Sequence, residues 1–206
     1  MGRRAKHSKA EFRDIALAAA AEIVAKRGPG ELTVRAVAAR MGCSVGSLYN
    51  NFESAEDLIA HINGRTLDAL YDATAAVPLT GVPEDDLHRI LDAYLRFVAE
   101  NRSSWKVLFD ERRPESFEAP DWYLAKIERV FGLLEAALQP IFPPGGDAGR
   151  PRAAARLLWS ALHGVWSLEA ADTLEAVSVP PMEQSAREML DIFLAGLRAR
   201  AAAGRP

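Results

Sequence analysis

Alanine and leucine recur along this chain at intervals of three and four, and glycine or proline falls wherever that pattern breaks. A helix with one buried face requires such spacing, whereas the period-two alternation of a half-buried strand is nearly absent. The spacing predicts an all-α fold of about nine helices. Hydrophobic residues at 49% of 206 allow one or two domains with cores of ordinary size. No apolar run is long enough to span a bilayer, and the basic start is followed by no apolar stretch of a secretory signal. A single cysteine, Cys43, rules out an intramolecular disulfide framework and fits a reducing compartment, so a cytoplasmic protein without membrane partners is expected.

The helix signals are local. Ser8 with Glu11 three residues on is a capping box, and Gly28-Pro29 ends the helix it starts, whose inward stripe reads Phe12, Ile15, Ala16, Ala19 and Ile23. Thr33 caps a short helix that stops at Gly42, and another opens at Ser44 and runs to about Asn50. A long fourth helix starts at Ser54 and continues until Pro78. Five more are predicted at about 83–101, 104–111, 120–139, 150–174 and 181–203, separated by Pro114, by Pro140 and the Pro143-Pro144-Gly145-Gly146 run, and by Pro180-Pro181. That run is the expected disordered loop.

Charge is uneven. Residues 1–50 carry nine Lys or Arg against four acids, a net +5, so the total of −3 leaves −8 on the rest. A basic head on an acidic body suits approach to a polyanion by the head alone, although a solvated charged surface accounts for it equally well. The pair of short helices joined at Met41-Gly42-Cys43 reads as a helix-turn-helix. Gly42 can take the left-handed conformation of the turn, and Ala38, Val45 or Leu48, and Phe52 close a small core. Ser44, Val45, Gly46 and Ser47 are small enough to let the second helix enter a major groove.

Over residues 8–62 this pattern resembles the TetR-type repressor family. The match rests on Thr33, Gly42, Ser44, Gly46, Ser47, Leu48, Tyr49, Phe52, Ser54, Asp57 and Leu58. The resemblance implies a dimer on a palindromic double-stranded operator, with Thr33 and Tyr49 on phosphates and Val45, Gly46, Ser47 and Asn50 near base edges. Arg35 or Arg40 is a further source of a base contact. Ala55 stands where the family usually has lysine, which removes one phosphate contact per subunit; Arg3, Arg4 and Lys6 on the N-terminal arm can compensate. The implied division is a DNA-binding domain at 1–54 and a helical ligand-binding and dimerisation domain at 55–206, with the boundary inside the fourth helix.

The second domain carries no phosphate loop, no paired metal-ligand histidines and no nucleophile beside a base, so neither enzyme, cofactor nor metal is expected. Its aromatic residues are core by default, but Trp105, Phe109, Trp122, Tyr123 and Trp166, with His163, are the candidates for an apolar effector pocket. Trp159, His163 and Gly164 resemble a Trp-His-Gly type of C-terminal domain found in part of the same family. The last two helices have broad apolar stripes, and Leu158, Leu162, Met189, Leu190, Phe193 and Leu197 are the expected homodimer seam. The expected function is a repressor released from its operator by a small, largely apolar or aromatic effector. Alternatives are a DNA-binding dimer without an effector and a helical-bundle enzyme.

Overall fold

The computed structural model describes residues 8–109, 118–145, 147, 149–170 and 180–202. Among them there are nine α-helices, and the secondary structure is helical throughout. They are α1 (Lys9–Arg27), α2 (Val34–Met41), α3 (Val45–Tyr49), α4 (Ala55–Ala75), α5 (Pro83–Glu100), α6 (Arg102–Leu108), α7 (Asp121–Leu138), α8 (Gly149–Ala170) and α9 (Met182–Ala202). No helix among the described residues is long and apolar enough to cross a membrane. Arg3, Arg4 and Lys6 lie outside the described residues, as do Pro114, Gly146 and the last residues expected in the helix at 150–174.

Capping chemistry explains where the first four helices begin. The Ser8 hydroxyl accepts from the Glu11 amide at 3.2 Å, and the Glu11 carboxylate accepts from the Ser8 amide at 2.8 Å, so α1 begins with a complete capping box. Thr33 and Ser44 cap α2 and α3 by accepting from the amides of Ala36 and Ser47. Ser54 accepts from Asp57 at 3.1 Å at the start of α4. The short α6 begins after Asn101 with no side-chain cap, two residues earlier than the spacing suggests.

The described chain packs as two compact units. The first comprises residues 1–69 and 98–126, and the second comprises 70–97 and 127–206. The packing boundary therefore falls inside α4, but after Ala69, and α6 and the first turn of α7 join the head. In the first unit Ala16, Ala20, Val24, Val37, Ala38, Leu48, Phe52 and Leu58 form one core with Val107 of α6. Leu48 is the residue that closes the core between the short helices, and Val45 is only partly buried against it. Ile15 is 41% exposed, because α1 turns Leu17, Ala20 and Val24 inward instead, which corrects the stripe expected from spacing.

The second unit contains most of α5, the greater part of α7, and α8 packed along α9. Leu87, Leu138, Leu158 and Leu190 are completely enclosed, each worth about 2 kcal/mol relative to exposure. Asp86 ties down the turn before α5. Its carboxylate accepts from the Thr80 amide and hydroxyl and from the Gly81 amide at 2.7–2.8 Å. Those bonds hold its carboxyl below the usual carboxylate range.

Candidate nucleic-acid interface and ligand cavity

The reading head is built around Gly42. Its φ of 66° and ψ of 32° are left-handed, and its amide closes the end of α2 on the carbonyls of Ala38 and Ala39. The Cys43 amide donates to Ala38 as well, so the helix terminus is satisfied while the chain reverses direction. The helix that follows spans five residues, too few to stand alone in water. It is held from below by Leu48 and Phe52, which are 1% and 2% exposed, and at its end by Arg13, whose Nε donates to the Asn51 carbonyl at 2.8 Å.

Most of the residues expected near DNA are open to solvent. Thr33, Arg35, Ser44, Gly46, Tyr49 and Asn50 are exposed, and Val45 and Ser47 are half-buried. Tyr49 is 49% exposed, an unusual setting for a large aromatic side chain and a suitable one for a phosphate contact. The Thr33 hydroxyl accepts one backbone bond and keeps its proton for donation. Arg40 is committed elsewhere: its Nε donates to Glu22 of α1 at 3.1 Å, and the pair holds that carboxyl below its ordinary range. Of the two arginines considered for base reading, Arg35 is the one that faces solvent without this pairing to Glu22.

In the second unit an apolar cavity of about 50 Å³ lies among five helices. Its walls include Leu70 and Thr74 of α4, Ile90 and Tyr94 of α5, Leu134 of α7 and Trp159 of α8. Burial pushes the Tyr94 hydroxyl up, so it is a neutral donor at any physiological pH. None of the six residues expected to line a pocket is on this wall. Trp105 is 1% exposed and meets Phe109 edge-on at 5.3 Å, and Trp122 and Tyr123 meet at 5.8 Å, all within the first unit. His163 and Trp166 belong to the second, where His163 stacks between Trp159 at 5.0 Å and Trp166 at 5.2 Å. Burial holds this imidazole below its ordinary range. The cavity residues were missed because leucines on five separate helices give no local sign that they converge; Tyr94 and Thr74, polar on otherwise apolar faces, were the available signal.

The apolar stripes of α8 and α9 are also redistributed. Leu158, Leu162 and Leu190 are buried inside the unit, on or beside the cavity, and are not free to form a seam with another chain. Met189, Phe193 and Leu197 are partly covered. The apolar side chains left outside are Leu157 at 62% and Ile192 at 67% exposure, with Leu168 at 37%. Gly164 and Gly196 lie on the same two helices, and a Cβ at either would meet no atom within 4 Å. Among the described residues no group of three His, Cys, Asp or Glu is placed to hold a metal.

Two capped short helices around a left-handed glycine, with an exposed second helix, define a helix-turn-helix DNA-binding protein. Residues 16–62 match the model for bacterial regulatory proteins of the tetR family, and residues 87–193 match the tetracyclin repressor-like C-terminal domain. The chain belongs to the TetR family of transcriptional regulators and is not an enzyme. Over 152 residues it is 24% identical to an HTH-type transcriptional regulator of Mycobacterium tuberculosis, covering 74% of this chain and 67% of that one. It is similar in fold to the TetR family transcriptional regulator PfmR from Thermus thermophilus, with a TM-score of 0.58 and 24% identity over 87% of this chain and 97% of that one. Thermus thermophilus FadR, a repressor solved with lauroyl-CoA, superposes with a TM-score of 0.65 at 18% identity over 88% and 93% of the two chains.

Proposed function

We propose that this regulator is a homodimeric, cytoplasmic repressor released from a palindromic operator by a small, largely apolar effector. Residues 1–54 would read DNA, with Thr33 and Tyr49 on phosphates and Val45, Gly46, Ser47 and Asn50 toward base edges. Residues 55–206 would bind the effector and the second subunit. The observation that carries the effector reading is the nearly unbroken apolar wall around Tyr94 and Thr74. An unpaired charge there would cost several kcal/mol, so the ligand is uncharged where it is enclosed, with one hydroxyl or carbonyl to meet Tyr94. A cavity of about 50 Å³ must expand to admit it. Leu70 and Thr74 belong to α4, whose earlier turns lie in the reading unit, so expansion works against the position of that helix.

The exposed apolar faces around Leu157 and Ile192 support dimerisation through α8 and α9, with Gly164 and Gly196 allowing close approach of the partner. Trp159, His163 and Gly164 support assignment to a Trp-His-Gly subgroup, in which the stacked ring system would stiffen α8. A second reading, a DNA-binding dimer with no effector, is favoured by the small volume of the cavity. The two are separated by titrating uncharged medium-chain alcohols and planar aromatic amides against the protein while following tryptophan emission and operator binding. Trp159 should respond, and operator affinity should fall by the factor by which the operator weakens the ligand. A panel without effect on melting temperature or emission would leave the constitutive dimer.

A further inference from the structure

Because α3 is only five residues long, what braces its end matters more than its own hydrogen bonds. Arg13 of α1 donates to the Asn51 carbonyl and lays its guanidinium over the Phe52 ring at 5.6 Å. Phe52 meets His61 of α4 edge-on, with ring centroids 5.6 Å apart. His61 in turn stacks on Trp122 of α7 at 4.6 Å, the planes 18° apart. All four residues belong to the first unit.

Trp122 has a fitted seat. A Cβ added at Gly64 would lie 2.9 Å from the indole Cζ3, so the indole occupies space that any other residue on α4 would deny it. Glycine in the interior of a long helix costs about 1 kcal/mol relative to alanine, which is repaid only where something must approach the backbone. One turn further along both helices, Lys126 of α7 pairs with Asp68 of α4, and this second contact fixes the register between them. A groove of about 500 Å³ runs beside the stack, lined by Lys9, Arg13 and Asp14 of α1 as well as by His61 and Trp122.

We propose that Trp122, seated at Gly64 and stacked on His61, is a positioning residue for DNA reading: through His61 and Phe52 it holds the end of the recognition helix. Operator affinity then depends on where α7 begins, at a residue outside the helices that face DNA. This rests on the DNA-binding role of the family and does not depend on the effector proposal. The stack works with neutral His61, which lies beside Asp57 and Arg65 of its own helix, Arg13 of α1 and Lys126 of α7, and shares its groove with Lys9, Asp14 and Asp68. Burial, opposed by Asp57 and reinforced by Arg13, Lys126 and Arg65, holds the imidazole below its ordinary range.

The test is a double-mutant cycle on the full-length protein with an operator selected from random duplexes. Gly64→Ala unseats the indole and Trp122→Ala removes it. Each should lower operator affinity about tenfold, a coupling normal for residues in contact, and the double variant should be no worse than either alone. His61→Phe, which keeps a stacking ring, should stay within about twofold of wild type, whereas His61→Ala should match Trp122→Ala. Affinity for random-sequence duplex and its salt dependence should not change, since no phosphate contact is lost. Lower melting temperatures with wild-type operator affinity, or losses that add in the double variant, would overturn the proposal. Failure of the wild type to enrich any sequence would instead remove the DNA reading on which it rests.

Discussion

Gly42→Ala isolates the backbone conformation that turns α2 into α3. A Cβ at Gly42 would meet no atom within 4 Å, so the substitution introduces no clash. What it introduces is an L-residue at φ 66°, which costs about 1–2 kcal/mol. Alanine also restricts the unfolded chain, which returns about 0.4–1 kcal/mol. The net loss is about 1 kcal/mol, and for a chain of this length it should lower the melting temperature by about 2–4 °C. Gly42→Asn should lose less, because asparagine visits the left-handed region more readily. Gly46 supplies a control of opposite sign. It lies inside α3, where a Cβ would sit 3.8 Å from the Ser44 hydroxyl, an ordinary contact, so Gly46→Ala should raise stability by up to about 1 kcal/mol. Thermal and urea unfolding followed by circular dichroism measure both. If Gly42→Ala melted at the wild-type temperature, or if the two variants shifted the same way, the turn would not be held as described. On the proposed reading Gly46→Ala should nevertheless weaken operator binding, because the added methyl group would stand between the helix and the bases.

Other outcomes follow from the same structure. His61 and His163 are both held below the ordinary histidine value of 6.5 by burial, so on acidification the unfolded chain takes up their protons first. Their contribution to stability is therefore whole above about pH 6.5 and lost as the pH falls below it, and melting temperatures between pH 7.5 and 5.5 should decline. His163→Phe should flatten that decline. Ala55→Lys should steepen the dependence of operator affinity on salt by about 0.9 in logarithmic slope per subunit, read by fluorescence anisotropy from 50 to about 200 mM salt. Leu157→Glu with Ile192→Glu should give a folded monomer in sedimentation with much weaker operator binding, since both sites are exposed within one chain; a dimer of unchanged affinity would move the interface elsewhere.

What was legible in the sequence was what is local. Ser8, Glu11, Thr33, Gly42 and Ser44 fix helix ends through bonds to residues three or four away, so the boundaries and the helix-turn-helix could be read without knowing the fold. The small residues of that short capped helix were legible for the same reason, and Ser44, Gly46, Tyr49 and Asn50 are exposed on it as a reading surface requires, while Val45 and Ser47 are half-buried. The faces of α8 and α9 were not. Leu157 and Leu158 are adjacent and equally apolar, yet one is 62% exposed and the other 1%. A helix apolar on two sides does not announce which side its own chain will cover. The aromatic residues were visible but their grouping was not, because Trp122 and Trp166 belong to different packing units, and the rings that reach the cavity are Tyr94 and Trp159.

The account turns on a dimer reading DNA through α3, and selection of bound sequences from a random duplex pool tests this most directly. Wild-type protein should enrich a palindrome with two equivalent half-sites, and Asn50→Ala should relax base preference within each half while leaving affinity for random duplex nearly unchanged. Recovery of no preferred sequence, or of a single site without two-fold symmetry, would contradict it.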